Sequence, residues 1–340
     1  MLVGQPAPIG PEQAGQSWPF LMVQNRNDEP NSSIYPAIIE AYVGQPFIRR
    51  VTMPGVGNND SGALRAVALK IETINGHEDL CISDGHGDRW RKIDDTEVAG
   101  RFGFVSIDEK GLRMAQVVEG KGLKSPRISI EIEMTAFRTR ITSVDYLKRE
   151  IQVQPPMPEL MGRNSTYFEV GNRDHKTSFM ITGGPAENPD GKTFIRFDRP
   201  ADRSYARVLK IDPIRKRVYT NIGPATIRPG NDRGLTCTNE NMTKAWKCNI
   251  LGRQDGGYAY QLLGNLAEDD LPPGSTFRLW EFGVGDEIRI PTHAHVWRRS
   301  DGRFILNTNT RARLKLNGRS YDSTAMTDSE KISRNLVLPE

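Results

Sequence analysis

The sequence lacks the features of several large classes of protein. Three cysteines in 340 residues, Cys81, Cys237 and Cys248, are too few for a disulfide scaffold and too far apart for a zinc ribbon. No apolar run approaches the roughly 18 residues of a membrane-spanning helix, so no span is predicted. The first ten residues have neither the basic nor the apolar segment of a secretory signal peptide, so none is predicted in this chain.

Charge and catalytic motifs exclude further classes. The net charge of +4 is not gathered into a basic arm and is lower than a dedicated nucleic-acid-binding protein would carry. The glycine-rich residues 118–122 and 183–185 lack the strand–loop–helix context of a nucleotide site. No Gly-x-Ser-x-Gly sequence is present, which disfavours a serine hydrolase of that type. We therefore expect no nucleic-acid partner and no nucleotide chemistry.

What is present is a dense series of β-strand signals. Apolar and polar side chains alternate at period two in residues 66–74, 127–134, 149–154 and 304–308. Tight-turn pairs that favour hairpins occur at Asn75-Gly76, Asp255-Gly256, Asp301-Gly302 and Asn317-Gly318. Mild helical patterns are confined to residues 33–42 and 324–334. We predict an all-β fold, a layered antiparallel β-sandwich built from hairpins with very little helix.

One internal repeat stands out within this pattern. Residues 143–153 align with residues 210–220, and both contain an Asp, Asp145 or Asp212, followed by two basic residues and an apolar strand. Since Asp caps turns by accepting backbone N–H bonds, both segments predict the same hairpin, either duplicated or convergent.

Proline-rich and glycine-rich breaks divide the chain into five predicted regions. They are an extended N-terminal segment (1–34), a β-sandwich block (35–153), a β block with the repeated hairpin (154–234), a C-terminal β block (235–320) and a polar tail (321–340).

Two histidines form the clearest candidate metal site. His293 and His295 are one residue apart on a predicted strand, so their side chains point to the same face about 6 to 7 Å apart. Two imidazoles at that spacing suit a shared divalent metal ion. The alternative is a pair of half-buried histidines beside Trp297, because the sequence identifies no third ligand.

Two further groups of residues are candidates for chemistry. Tyr167 precedes His175 in a polar stretch, and a phenol with an imidazole is a plausible proton-transfer pair, although an ordinary turn explains the stretch equally well. Aromatic rings stack on sugars and are candidate substrate-binding groups, or else ordinary core residues. These aromatic residues are Trp90, Trp246, Trp280, Trp297, Tyr258 and Tyr260.

Residues 35–47, 67–84, 100–112 and 162–172 together resemble the C-terminal β-sheet region of heparinase II/III-like polysaccharide lyases. The resemblance implies an extracellular or periplasmic protein that cleaves uronic-acid polysaccharides by β-elimination. In that family the active site lies between this β region and an N-terminal helical toroid, which this chain lacks, so no catalytic set carries over. An N-terminal helical partner domain is therefore one expectation, and a homo-oligomer is another.

The sequence thus predicts a carbohydrate-active β-domain that binds or cleaves acidic polysaccharides. Such a protein should present aromatic residues and Arg along one polar groove. The alternative is a structural, self-assembling β-protein of an extracellular layer or filament, which should expose apolar patches or edge strands.

Overall fold

The computed structural model describes most of the chain. The described residues are 2–4, 20–22, 45–60, 62, 64–158, 165, 167–171, 176–187, 193–223, 234–323 and 336–338. They form 26 β-strands and no α-helix, which confirms the all-β prediction. The two predicted helical segments, 33–42 and 324–334, lie outside the described residues. No helix long and apolar enough to cross a bilayer occurs in the described part of the chain.

The strands follow one another along the whole chain. In order they are β1 (Leu2–Gly4), β2 (Phe20–Met22), β3 (Ile48–Thr52), β4 (Val67–Thr73), β5 (Glu78–Ser83), β6 (Arg91–Ile93), β7 (Thr96–Asp108), β8 (Gly111–Lys124), β9 (Ile128–Ile132), β10 (Ala136–Asp145), β11 (Glu150–Gln154), β12 (Tyr167–Gly171), β13 (Lys176–Glu187), β14 (Thr193–Phe197), β15 (Asp202–Asp212), β16 (Arg217–Thr220), β17 (Leu235–Thr238), β18 (Ala245–Gln254), β19 (Gly257–Leu263), β20 (Thr276–Trp280), β21 (Glu287–Pro291), β22 (His293–Arg298), β23 (Phe304–Thr308), β24 (Ala312–Leu316), β25 (Arg319–Asp322) and β26 (Leu336–Val337).

These strands form two closed barrels and a large antiparallel sheet. Barrel one closes in the order β10-β11-β14-β13-β12-β21, and barrel two closes in the order β15-β16-β19-β18-β17-β20. Strands β3 to β9 and β22 to β26 make a 12-stranded sheet, and β1 pairs with β2. Each of the three larger bodies has its own cluster of buried apolar side chains.

The two barrels have the same strand order, and one lies within the other in sequence. Numbered within each barrel, both close as 1-2-5-4-3-6, and barrel two is inserted between the fifth and sixth strands of barrel one. The repeated hairpins are their equivalent first two strands. Asp145 Oδ1 accepts the N–H of Lys148, Asp212 Oδ1 accepts the N–H of Arg215, and the turns end at Arg149 and Lys216, both at φ 54°. The repeat seen in the sequence therefore belongs to a whole repeated barrel.

The four predicted tight turns are confirmed. They join β4 to β5, β18 to β19, β22 to β23 and β24 to β25, and in each the turn glycine has a positive φ that L-residues rarely adopt. Cys237 and Cys248 lie on the paired strands β17 and β18 as free, buried thiols.

The predicted regions and the observed sheets divide the chain differently. Region 35–153 contributes strands to the 12-stranded sheet and to barrel one, and region 154–234 contributes to both barrels. Region 235–320 contributes to all three bodies.

The chain crosses between barrel one and the 12-stranded sheet twice, at residues 133–135 and at Thr292. Thr292 is fully buried, and its hydroxyl oxygen lies 2.6 Å from the carbonyl oxygen of Met134 and 2.7 Å from that of Thr135, which share its single proton. Because a buried hydroxyl with two acceptors has little freedom, the two crossings hold each other in place. His293 is the next residue, so this tie fixes the start of β22.

Candidate active site

A cavity of about 300 Å³ lies where barrel one meets the 12-stranded sheet. Its lining residues come from β8, β22 and β23 of the sheet and from the start of β12 and the end of β21 in barrel one. They are Gln116, Val118, Tyr167, Pro291, His293, His295, Asn307 and Asn309. The cavity therefore joins Tyr167 to His293 and His295, which the sequence offered as members of two separate candidate sites.

The two histidines point to the same face of β22, as the alternation predicts. Ala294 and Val296 are fully buried in the core of the sheet, whereas His293 and His295 are half-buried on the opposite face. His293 Nε2 contacts Asn307 Oδ1 at 2.8 Å, and a carbonyl oxygen only accepts, so Nε2 carries the proton in this contact. His295 Nε2 is buried with no hydrogen-bond partner among the described residues.

Strand register brings amide side chains beside the histidines. His295 pairs with Gln116 on β8 and with Asn307 on β23, so the three side chains form one row across the sheet. Asn309 is buried and acts as a clamp, since its Oδ1 accepts the N–H of His293 (2.9 Å) and its Nδ2 donates to Pro291 O (2.9 Å). Amide, imidazole and phenol groups thus provide both donors and acceptors around the cavity.

An ion-pair network borders the cavity on the barrel side. Arg289 Nη1 donates to Glu119 Oε1 at 2.8 Å and to Glu169 Oε2 at 3.0 Å, and Arg289 Nη2 also contacts Glu119. Arg101 Nε lies 3.3 Å from Glu119 Oε2. Tyr167 and Glu169 are on the same outward face of β12, so the phenol lies close to these charges.

The surroundings shift the pKa values of Tyr167, His293 and His295. Burial lowers the pKa of His293 against the opposing effect of its Asn307 contact, and burial lowers the pKa of His295 with an added effect from His293. Burial, followed by the charges of Glu119 and Glu169, raises the pKa of Tyr167. At neutral pH the cavity therefore contains neutral imidazoles and a protonated phenol.

Among the described residues, the cavity offers a metal ion two ligands, His293 and His295. Within the described ranges, no group of three or more His, Cys, Asp or Glu side chains is placed to hold a metal ion. One nitrogen of the pair, His293 Nε2, is already committed to Asn307. The described lining residues offer hydrogen-bond donors and acceptors to a polar organic ligand.

Of the six aromatic residues predicted to bind sugars, three belong instead to the hydrophobic core. Trp246, Trp280 and Tyr260 are buried. Trp280 stacks on Tyr146 with ring centroids 3.9 Å apart, and Trp246 Nε1 donates to Asn265 O at 2.8 Å. Trp246 and Tyr260 pack in the core of barrel two and Trp280 packs in the core cluster of barrel one, so none of these rings offers a free face to a sugar.

The other predicted residues have varied positions. Trp297 is half-buried with its ring centroid 4.7 Å from that of His295, which places it beside the cavity. Lys124 Nζ lies over the Trp90 ring at 4.6 Å, and Tyr258 lies at a different groove, in barrel two. His175 lies outside the described residues.

Sequence reasoning missed the amide residues of the cavity. Gln116, Asn307 and Asn309 are single polar residues in ordinary strand sequences and carry no local signal. Only the pairing register of β8, β22 and β23 brings them next to the histidines.

The lowered histidine pKa values predict how stability depends on pH. In the unfolded chain a histidine titrates near pH 6.5, so below that pH the unfolded state binds protons that the folded cavity resists. We expect the free energy of unfolding to fall as the pH drops below about 6.5, and to fall less steeply in His295→Gln. Urea unfolding of both proteins at pH 7.5 and 5.5 measures this, with His77→Gln as the control. An equal loss of stability in wild type and His295→Gln contradicts the lowered pKa.

Comparison with protein-family models, curated proteins and solved structures finds no match to this chain.

Proposed function

We propose that this protein is a carbohydrate-active β-domain acting on uronic-acid polysaccharides, and that the cavity between barrel one and the 12-stranded sheet is its active site. The observation that carries the proposal is the convergence of Tyr167, His293 and His295 with amide side chains in one cavity. The resemblance to the β region of heparinase II/III-like lyases supports the same substrate class. The proposal implies an extracellular or periplasmic location.

The protonation states suit β-elimination. A neutral His295 in its Nδ1-protonated tautomer offers the Nε2 lone pair, which has no partner among the described residues, as the base. It removes the proton on C5 of the uronate, the C4–O4 bond breaks as the C4=C5 double bond forms, and the protonated Tyr167 gives its proton to O4. The products are one fragment with an unsaturated uronate at its non-reducing end and another with a new reducing end, and no oxidant or reductant is required.

Recognition of the sugar uses the neutral groups around the base. The Gln116 amide lies opposite His295 and is placed to donate to the uronate carboxylate, which stabilises the charge that develops there. Asn307 lies on the other side of His295 in the same row. Trp297 supplies an aromatic edge beside the cavity for the apolar face of a sugar ring.

The direct test is incubation with a panel of heparan sulfate, chondroitin sulfate, hyaluronan and alginate. Ultraviolet absorbance of the unsaturated product measures elimination, and retardation in gels containing each polymer measures binding. We expect both signals with at least one polymer. Retardation without an increase in absorbance reduces the function to binding. The absence of both retardation and an absorbance increase with every polymer contradicts the proposal.

A second candidate function, a structural or self-assembling β-protein of an extracellular layer or filament, is favoured by a different observation. Leu147 and Ile214 occupy the same position in the two repeated hairpins and are 76% and 94% exposed. Exposed aliphatic residues at matching hairpin tips suit contacts between subunits. Sedimentation of wild type and of Leu147→Ser/Ile214→Ser tests it, because assembly through the tips predicts oligomers in the wild type alone.

A further inference from the structure

The segment of the chain that contains barrel two carries the net positive charge. Residues 202–280 contain 12 Lys and Arg against 8 Asp and Glu, an excess that equals the net charge of +4 of all 340 residues. The rest of the chain is therefore balanced. A basic segment within an otherwise balanced chain favours a partner with negative charge.

A groove of about 510 Å³ lies on this barrel. It runs between residues 221–223, which follow β16, and residues 253–258 of the β18–β19 hairpin. Strand β15 borders it, because Asn221 exchanges two hydrogen bonds with the backbone of Arg207, donating its N–H (3.0 Å) and accepting at Oδ1 (2.8 Å). Leu209 approaches within 3.2 Å of the position that a Cβ would take at Gly257.

Arginine is in excess at this groove, since Arg253 lines it and Arg207 lies on the β15 border beside it. Asp255 is the acidic residue among those that line it, and Lys210 Nζ compensates it at 3.6 Å. Arg207 and Arg253 are exposed and form no ion pair with any residue that the structure describes. Two guanidinium groups are thus available to anions, and guanidinium pairs with carboxylate or sulfate through two parallel hydrogen bonds.

An exposed aromatic ring and amide groups accompany the arginines. Tyr205 is 71% exposed, and it lies two residues before Arg207 on the same outward face of β15. Gln254 and Asn221 line the groove. A ring for sugar stacking, amides for hydroxyl groups and arginines for acid groups are complementary to a chain of acidic sugars.

We propose that this barrel-two groove is a second, non-catalytic binding site for acidic polysaccharide, in which Arg207 and Arg253 pair with carboxylate or sulfate groups and Tyr205 stacks on a sugar ring. The polymer class rests on the proposed function, but the site itself is distinct from the cavity that contains His295. Its role is to hold the polymer on the protein while the cavity acts on a single linkage. Binding at two sites on one chain raises affinity for polymers over short oligosaccharides.

The test compares Arg207→Gln/Arg253→Gln with a control of equal charge loss, Arg138→Gln/Arg303→Gln, which removes arginines of barrel one and the 12-stranded sheet. Gel retardation by alginate and by heparan sulfate measures polymer affinity, and absorbance measures turnover of their tetrasaccharides. We expect the groove variant to lose at least about tenfold in polymer affinity and the control less than about twofold. Tetrasaccharide turnover should stay within about twofold of wild type in both.

Three results would contradict the proposed groove site. They are a polymer affinity of the groove variant equal to that of wild type, an equal loss of polymer affinity in the control, and displacement of the protein from the polymer by an amount of single-stranded DNA that carries the same charge. If the wild type turns over tetrasaccharides but is not retarded by either polymer, the proposed binding site in the groove is wrong and the proposed activity stands. If the wild type is retarded, the groove variant is not, and neither turns over a tetrasaccharide, the proposed binding site in the groove stands and the proposed active site is wrong.

Discussion

Tyr167→Phe is expected to lower the rate of polysaccharide elimination by about 100-fold or more and to leave polymer retardation within about threefold of wild type. The change removes the proton that Tyr167 gives to the leaving oxygen, and general acid catalysis contributes roughly 10² to 10⁴ in rate. Tyr167 is on the outward face of β12, 36% exposed, so its hydroxyl contributes little to the barrel core. The measurement is the initial rate of absorbance growth with saturating polymer.

His295→Gln provides the matching change at the base. It keeps a polar side chain in the row with Gln116 and Asn307 but removes the nitrogen lone pair that accepts the C5 proton, so it should match the loss in Tyr167→Phe. His77→Gln is the control, because His77 lies at the β4–β5 turn and contacts Arg113. A full elimination rate in either cavity variant contradicts the assigned acid and base.

Gly120→Ala is expected to destabilise the protein by about 3 kcal/mol or more. A Cβ at Gly120 would lie 1.9 Å from the carbonyl oxygen of Ala99 and 2.3 Å from Cα of Gly100, both of which are backbone atoms. Strands β7 and β8 must therefore separate at their closest approach, beside the irregularity between Ala99 and Gly100. Because both clashing atoms belong to the backbone, no side-chain rotation can relieve the strain.

Urea unfolding measures this change, with Gly55→Ala as the control. Gly55 is exposed with open space around its potential Cβ, so alanine there should alter the free energy of unfolding by no more than about 0.5 kcal/mol. Gly120 directly follows Glu119, which contacts Arg289 of barrel one beside the cavity, so elimination should fall in Gly120→Ala as well. A loss below about 1 kcal/mol contradicts the close approach of the two strands.

Local patterns predicted the elements well. Alternation in residues 66–74 and 127–134 gave β4 and β9 to within two residues at each end, and the four turn pairs are the observed hairpin turns. The Asp145 and Asp212 repeat identified equivalent hairpins because turn chemistry is local and leaves a readable signature.

The pairing of strands that are distant in the sequence could not be predicted, because it leaves no local sequence pattern. The insertion of barrel two depends on the pairing of β21 with β12 and β10, in which Arg289 meets Glu169 from 120 residues earlier, and no single segment encodes it. Likewise, Tyr167 and His293 share a cavity only because β12 and the start of β22 meet at the crossing between barrel one and the sheet. The burial of Trp246 in the barrel-two core and of Trp280 against barrel one likewise depends on contacts between distant strands, since their strand positions alone suit either a core or a surface.

The central claim is that a uronate sugar binds beside His293 and His295. It is tested most directly by nitrogen–proton spectra of the imidazole rings in ¹⁵N-labelled Tyr167→Phe, titrated with hyaluronan and alginate tetrasaccharides. Because this variant is expected to cleave the tetrasaccharides very slowly, they stay intact during the titration. The account predicts saturable shifts of the His293 and His295 rings with at least one tetrasaccharide, while the rings of His77 and His86 stay unchanged. Unmoved His293 and His295 rings with both ligands, at concentrations that retard the protein, would contradict it.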